Sequence, residues 1–310
     1  MLVEEELADF TPGKDMLLTV GVFDGVHLGH KHLISRLREN AAKQELLSGV
    51  VTFKQHPLEI LAPDTELPYL TGLNEKVRLL KNEGVDVVVT LSFTPELSAL
   101  SASQFTGLLK KHLRMKGLVI GPDFSLGRNR EGSAEALSAI GKYLDFTVEV
   151  VSPVRVNGEV VSSTAIRNAI SAGDMKKVVN LMGHPFSLHG HVISGDKRGS
   201  ELGFPTANLE IDPKQTHPPE GVYITRTYIG GKPYKSVTNI GKRPTFGDNP
   251  RSIETYVMDY KSNLYGHELR IDVVERLRGE KKFDSVEGLK KQIALDIEKA
   301  IAVLDSGSGD

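Results

Sequence analysis

The sequence predicts an α/β domain on a mostly parallel sheet, followed by a small antiparallel β-barrel and a terminal helix. Three observations carry this. Between residues 16 and 151, short apolar runs alternate with helix-patterned segments, the spacing of βαβ units. After His184-Pro185, glycine, proline and threonine become dense, and short alternating segments replace helices. The chain has 310 residues, long for one core and suited to two. The expected domains are 1–183 and 184–310.

Taken in order, residues 16–23 form an apolar run of the kind buried on both faces of a parallel sheet. From His30, apolar residues fall at Leu33, Ile34, Leu37 and Ala41, which is helical spacing. Residues 49–53 read as a second strand, 73–82 as a helix ended by Gly84, and 85–91 as a third strand. A helix is expected over 101–115 with Ser101 or Ser103 as its cap. A short strand over 118–120 leads into Gly121-Pro122-Asp123. A helix over 133–144 and a fifth strand over 146–151 follow. Ser163 is expected to cap a helix through Ala172, and a short helix over 174–182 ends at Gly183.

In the second domain, 221–228, 235–240, 252–259 and 268–273 are strand candidates. Glu268-Leu269-Arg270-Ile271-Asp272-Val273 alternates apolar with polar, so one face is buried. Val286, Leu289, Ile293, Ile297, Ile301 and Leu304 form the stripe of a terminal helix, and a polar tail begins at Ser306. No internal repeat is present.

Composition narrows the function. The formal net charge of −2 offers no basic field for nucleic acid. The absence of cysteine excludes disulfides and thiolate metal sites. The first ten residues are acidic, the wrong charge for a signal peptide. No apolar run reaches the roughly 18 residues of a membrane span. A soluble, cytoplasmic protein acting away from membranes is the expectation.

The first chemical stretch is Gly21-Val22-Phe23-Asp24-Gly25-Val26-His27-Leu28-Gly29-His30, where a buried strand runs through a glycine-punctuated turn into a helix. Such a turn lets backbone approach a ligand closely, and the helix points free N–H groups and a positive dipole end at it. That suits phosphate, with His27 and His30 as added donors. No P-loop occurs, nor a dinucleotide glycine fingerprint outside the C-terminal tail. A second element, Ser162-Ser163-Thr164-Ala165-Ile166-Arg167, opens a helix with Ser163 and Arg167 on one face. Alone it reads first as an ordinary capped helix with a surface arginine.

In the second half, Gly190 to Gly199 is glycine-rich and basic, and precedes Leu202-Gly203-Phe204-Pro205-Thr206-Ala207-Asn208. On a strand, Thr206 and Asn208 share a side and supply hard oxygen ligands of the type Mg²⁺ accepts beside phosphates. A glycine-rich hairpin with two polar residues explains the same pattern. Farther on, Glu254, Tyr256 and Met258 share one face of a strand, and Ile253, Thr255 and Val257 the other. From the residues alone, Glu254 is an exposed strand carboxylate or a general base. The histidines at 112, 184, 189, 217 and 267 show no metal spacing. Lys110-Lys111 and Lys290-Lys291 read as solvated helix faces, and Tyr223 and Tyr228 as barrel packing.

These motifs resemble a known family. Gly-x-Phe-Asp-Gly-x-His-x-Gly-His resembles the His-x-Gly-His element of nucleotidyltransferases that move adenylyl groups from ATP, and Ser-Ser-Thr-x-x-Arg resembles their second phosphate element. Gly121-Pro122-Asp123-Phe124-Ser125-Leu126-Gly127 resembles the Gly-x-Asp-Phe-x-Phe-Gly segment of bacterial FAD synthetases. Gln55-His56-Pro57 resembles their Pro-His-Pro loop. Ser125, Leu126 and Gln55 stand where that family commonly has Arg, Phe and Pro. The series Gly203 to Asn208, Gly221-Val222-Tyr223, Asn239 to Phe246, Glu254, Leu264-Tyr265-Gly266 and Leu277 to Phe283 follows the order found in riboflavin kinases. From about residue 15 to 305 the chain resembles the bifunctional prokaryotic riboflavin kinase/FAD synthetase family.

The resemblance implies a Rossmann-like nucleotidyltransferase domain and a kinase barrel. It implies riboflavin, FMN, FAD, ATP, ADP and pyrophosphate as ligands, with ATP as co-substrate and Mg²⁺ as cofactor. It implies catalytic roles for Glu254, His27, His30 and Arg167. Nucleotide contacts fall to Phe23, Asp24, Gly25, Ser163, Thr164, Gly195, Lys197, Gly199, Thr206 and Asn208, with Thr206 and Asn208 also toward Mg²⁺. Flavin contacts fall to His56, Asp123, Phe124 and Arg278. Two other readings stay open at this point: a monofunctional kinase with a degenerate first domain, and a non-catalytic flavin- or nucleotide-binding regulator. Retention of Glu254 argues against the regulator.

Overall fold

A computed structural model describes residues 3–195, 198–242 and 251–306. The chain divides into two compact units, Met1–Ser163 and Thr164–Asp310.

The first unit begins with a short helix α1 (Val3–Ala8), which no sequence pattern announced. It continues β1 (Met16–Val20), α2 (Leu28–Lys43), β2 (Leu47–Phe53), α3 (Leu58–Leu61), α4 (Leu73–Asn82), β3 (Val87–Leu91), α5 (Pro95–Ala99), α6 (Ala102–Leu113), β4 (Met115–Ile120), α7 (Ala134–Leu144) and β5 (Thr147–Val150). The five strands form one parallel sheet in the order β3-β2-β1-β4-β5. Side chains alternate across β1: Met16, Leu18 and Val20 enter a core with α1, α6 and α7, while Leu17 enters the opposite core with α2. The order reverses direction at β1, so the C-terminal ends of β1 and β4 form the crevice where ligands of open α/β sheets bind.

Two boundaries differ from expectation. α6 stops at Leu113 because Arg114 turns left-handed (φ 52°), so the next strand begins at Met115 rather than 118. α2 begins at Leu28, two residues before the apolar periodicity, with His27 as its N-cap. After β5 come a small hairpin of β6 (Arg155–Val156) and β7 (Glu159–Val160), and then α8 (Ser163–Ala172).

The second unit holds most of α8, then α9 (Met175–Met182), β8 (Phe186–Ile193), α10 (Arg198–Glu201), β9 (Ala207–Ile211), β10 (Gly221–Ile229), β11 (Lys232–Lys242), β12 (Arg251–Val257), β13 (Glu268–Arg278) and α11 (Val286–Ser306). The strands close into an antiparallel barrel in the order β10-β11-β12-β9-β8-β13. Gly230 and Gly231, both at positive φ, make the two-residue turn between β10 and β11. Ile253, Thr255 and Val257 are buried inside the barrel. Part of this interior is polar. The hydroxyls of Thr225, Thr227, Ser236, Thr238 and Thr255 satisfy one another at 2.7–2.9 Å, so none is left unpaired. The opposite face of β10–β12 carries Ile224, Val237 and Tyr256 against Ala300 and Leu304 of α11.

Lys110 and Lys111 are not simply solvated. Lys110 donates to the carbonyls of Leu144 and Asp145 at the end of α7, and Lys111 pairs with Glu4 of α1. Tyr223 is fully buried with its hydroxyl on the Pro219 carbonyl, as a packing residue should be.

Candidate functional site

In the first unit, the site begins with backbone geometry. Phe23, Gly25 and Val26 all adopt positive φ (52°, 87° and 38°). For a β-branched residue such as Val26 that conformation is strained, and it persists only where the surroundings impose it. Val26 is fully buried and Phe23 nearly so, which anchors the turn from below. The Asp24 carboxylate accepts the backbone N–H groups of Leu70 and Thr71 at 2.9–3.1 Å, and Ser163 Oγ donates to the Asp24 carbonyl at 2.9 Å. Ser163 is the first residue of α8. Thr164 follows it and Arg167 stands one turn farther along the helix.

His27 Nδ1 accepts the N–H of His30, and the two imidazoles stack at 3.6 Å between centroids. Gly29 lets them do so, because a Cβ there would meet the His27 ring at 3.1 Å. The Nδ1 of His30 is enclosed and has no hydrogen-bond partner among the described residues. Desolvation pushes His30 well below the ordinary histidine range, and the neighbouring His27 and Lys76 push the same way. His30 is therefore a neutral imidazole at the mouth of a helix N-terminus, with one nitrogen unsatisfied. A ligand with phosphate oxygens fits that arrangement.

Beside the turn lies a cavity of about 510 Å³. Gly21 and Val22 border it from β1, and His56, Asp123, Phe124 and Arg130 from the loops. All three flavin-side residues expected in this domain meet there. Phe53, Phe93 and Phe105 supply flat apolar wall. Gln55 donates to the Phe93 carbonyl at 2.8 Å, and Ser125 accepts from Arg130 Nε at 2.8 Å. Two of the three residues that depart from the family pattern thus make bonds that shape the cavity wall.

In the second unit, a cavity of about 570 Å³ lies on the outer face of the barrel, under α11. Glu254, Asn239, Val237 and Tyr256 line it from the strands, and Leu289, Ile293, Asp296 and Ile297 from the helix. Glu254 sits opposite Asn208 on β9 and Asn239 on β11. Its carboxylate accepts Ser252 Oγ at 2.8 Å and Thr206 Oγ1 at 3.5 Å. Glu254 is half-buried, not the exposed strand residue that its neighbours in sequence suggested.

Gly195 and Gly199 fold over this group. A Cβ on Gly195 would lie 2.1 Å from Asn208 Nδ2, and one on Gly199 would lie 2.5 Å from the Phe204 carbonyl. Lys197 lies outside the described residues, as do residues 243–246 of the Asn239 to Phe246 motif. Arg278 borders the cavity, but its guanidinium is forked onto Asp296 at 2.8–3.3 Å, and Gln292 holds the same carboxylate. The helix wall and the Asp296 partner escaped the sequence reading. The signal was present: Asp296 adjoins Ile293 and Ile297 on the apolar stripe of α11.

Among the described residues no group of three or more His, Cys, Asp or Glu side chains forms a metal cage. Thr206, Asn208 and Glu254 offer hard oxygens in a half-enclosed pocket, which fits a Mg²⁺ ion completed by phosphate oxygens.

Comparison with known proteins agrees with both halves. A family profile described as FAD synthetase matches residues 11–165, and one described as riboflavin kinase matches residues 182–304. The bifunctional riboflavin kinase/FMN adenylyltransferase of Escherichia coli K12 is 38% identical over 92% of this chain and 91% of its own. That of Bacillus subtilis is 33% identical over 97% and 94%. A crystal structure described as a macrolide-efflux protein from Streptococcus pneumoniae superimposes with TM-score 0.86 at 32% identity, covering 94% of this chain and 95% of that one. Among the described residues here, no helix is long and apolar enough to cross a membrane.

Proposed function

The chain belongs to the bifunctional riboflavin kinase/FMN adenylyltransferase family, and from that premise we propose how its residues divide the two reactions. It phosphorylates riboflavin to FMN and adenylylates FMN to FAD, with ATP as co-substrate in both. The observation that supports the division is that each half has its own cavity, one lined by His56, Asp123 and Phe124 beside the 23–30 turn and the other by Thr206, Glu254 and Arg278. We assign adenylyl transfer to 1–183 and phosphorylation to 184–310.

In the barrel, Glu254 accepts the proton of the ribityl 5′-hydroxyl. The freed oxygen attacks the γ-phosphorus of ATP, its bond to the β-phosphate oxygen breaks, and ADP leaves. Ser252 and Thr206 keep the carboxylate aimed by their hydrogen bonds. Thr206 and Asn208 hold the phosphates and Mg²⁺, and Gly195, Lys197 and Gly199 cover the nucleotide. Mg²⁺, when bound, neutralises charge on the phosphates. Arg278, fixed by Asp296, forms the flavin-side wall. Positioning does most of the work in such transfers.

In residues 1–183, an FMN phosphate oxygen attacks the α-phosphorus of ATP, the α–β bridge breaks, and pyrophosphate leaves. Phe23, Gly25 and Asp24 set the shape of the turn that receives the phosphates. Neutral His30 and stacked His27 donate to them, and Ser163, Thr164 and Arg167 complete the charge stabilisation from α8. His56, Asp123 and Phe124 hold the flavin. We place these reactions in the cytoplasm, where ATP is supplied.

Incubation with riboflavin, ATP and Mg²⁺, followed by chromatography, should give FMN and then FAD. Accumulation of FMN alone would leave the monofunctional reading standing, and unchanged riboflavin would leave the regulator.

A further inference from the structure

The ammonium of Lys76 takes no part in the steps above, yet it lies beneath the phosphate turn. α4 carries it on the apolar side between Leu73 and Leu80, and it is 5% exposed. Its Nζ donates to the carbonyls of Val22 at 3.1 Å and Phe53 at 2.8 Å. Thr52, fully buried, donates its hydroxyl to the same Val22 carbonyl at 3.0 Å. Val22 leads directly into the left-handed Phe23, and Phe53 ends β2. Both residues also border the flavin-side cavity.

A charge in such a place is costly unless it is matched, and an apolar side chain of similar length would fill the space without that cost. The C-terminal edge of a parallel sheet explains its presence. The carbonyls of Val22 and Phe53 lie at that edge and carry negative partial charge. A triphosphate would be repelled by them. A cation below the edge engages both carbonyls. The titratable groups facing Lys76 are Asp24 and His30 of the turn.

We propose that Lys76 is a positioning residue for adenylyl transfer: it ties the ends of β1 and β2 together and turns their carbonyls away from the ATP phosphates. This rests on the reading that ATP phosphates occupy the 23–30 turn. Burial lowers the Lys76 pKa to about 8, with Asp24 pulling it back up, so the tie loosens within an accessible pH range.

The test is Lys76→Met in the full chain, which keeps length and removes charge. FMN-to-FAD turnover is followed from about pH 6.5 to about pH 9.5, across the range where a shifted lysine titrates. Wild-type kcat should fall on the alkaline side with a midpoint near pH 8. Lys76→Met should lack that limb, with kcat down about 100-fold and KM for FMN little changed. Wild-type turnover in Lys76→Met, or a retained alkaline limb, overturns the proposal. Should circular dichroism show that variant unfolded, Lys76→Gln, which keeps a donor but no charge, is read by the same two criteria, and wild-type turnover or a retained alkaline limb in it overturns the proposal. His30→Ala separates the two readings: full FAD synthesis in that variant rejects the turn as the ATP site, whatever Lys76 does.

Discussion

The two sites solve the same problem, holding ATP phosphates near a flavin, with different materials. The turn of the first unit works through backbone. Its polar side chains are largely committed to holding shape: Asp24 to Leu70 and Thr71, Ser163 to the Asp24 carbonyl, His27 to the His30 N–H. The barrel site works through side chains. Asn208 and Glu254 sit opposite each other on β9 and β12, Thr206 lies just before β9 rather than on it as expected, and glycine only lets the cover approach. Substitutions in the barrel should therefore remove chemistry outright, and those around the turn should act through geometry.

The largest expected effect is on Glu254→Ala. Loss of a general base should cut FMN formation by about 100- to 10,000-fold. FMN-to-FAD conversion should stay near wild type; loss of both reactions breaks the contrast. His30→Ala should show the mirror image, with FAD formation down by about 100- to 1,000-fold and FMN formation intact, because one preorganised donor is removed.

Gly195→Ala sharpens the contrast. A Cβ there lies 2.1 Å from Asn208 Nδ2, so the cover must lift, and kinase turnover should fall while the adenylyl reaction is untouched. A drop in thermal stability with turnover unchanged would instead make the glycine structural. Asp296→Asn removes the charge that the Arg278 fork grips, leaving a buried guanidinium incompletely matched, at a cost of about 3 kcal/mol or more. The riboflavin KM should rise as the wall formed by α11 loosens, which kinetics can read.

The smallest effect is on pH stability. His30 is held neutral in the fold, so the unfolded chain binds its proton more readily. Stability of the first unit should decline as pH falls through the ordinary histidine value of 6.5. His30→Phe should flatten that part of the profile in thermal melts at two pH values.

The difference in materials also explains what the sequence disclosed. The parallel strands are continuous apolar runs and α11 is periodic, so both architectures were legible, although Val286 and Ile301 of the expected stripe are exposed. The motif residues were legible because glycines and histidines at fixed spacing leave few alternatives. Lys76 was not, because a lysine in a helix reads as solvated until its position between Leu73 and Leu80 is set against the sheet edge. Asp296 escaped for the same reason. The start of α2 escaped because His27 is an uncommon cap, and the apolar period begins later than the helix. The role of Asp24 was hidden because its partners are main-chain groups of Leu70 and Thr71, far along the chain.

The central claim is that residues 1–183 and 184–310 each carry one complete reaction, and complementation tests it most directly. Glu254→Ala and His30→Ala proteins are given riboflavin, ATP and Mg²⁺, separately and then mixed. Glu254→Ala alone should leave riboflavin unchanged, and His30→Ala alone should stop at FMN. The mixture should make FAD, because FMN released by one protein serves the other. A mixture that forms FMN but no FAD would contradict two independent sites.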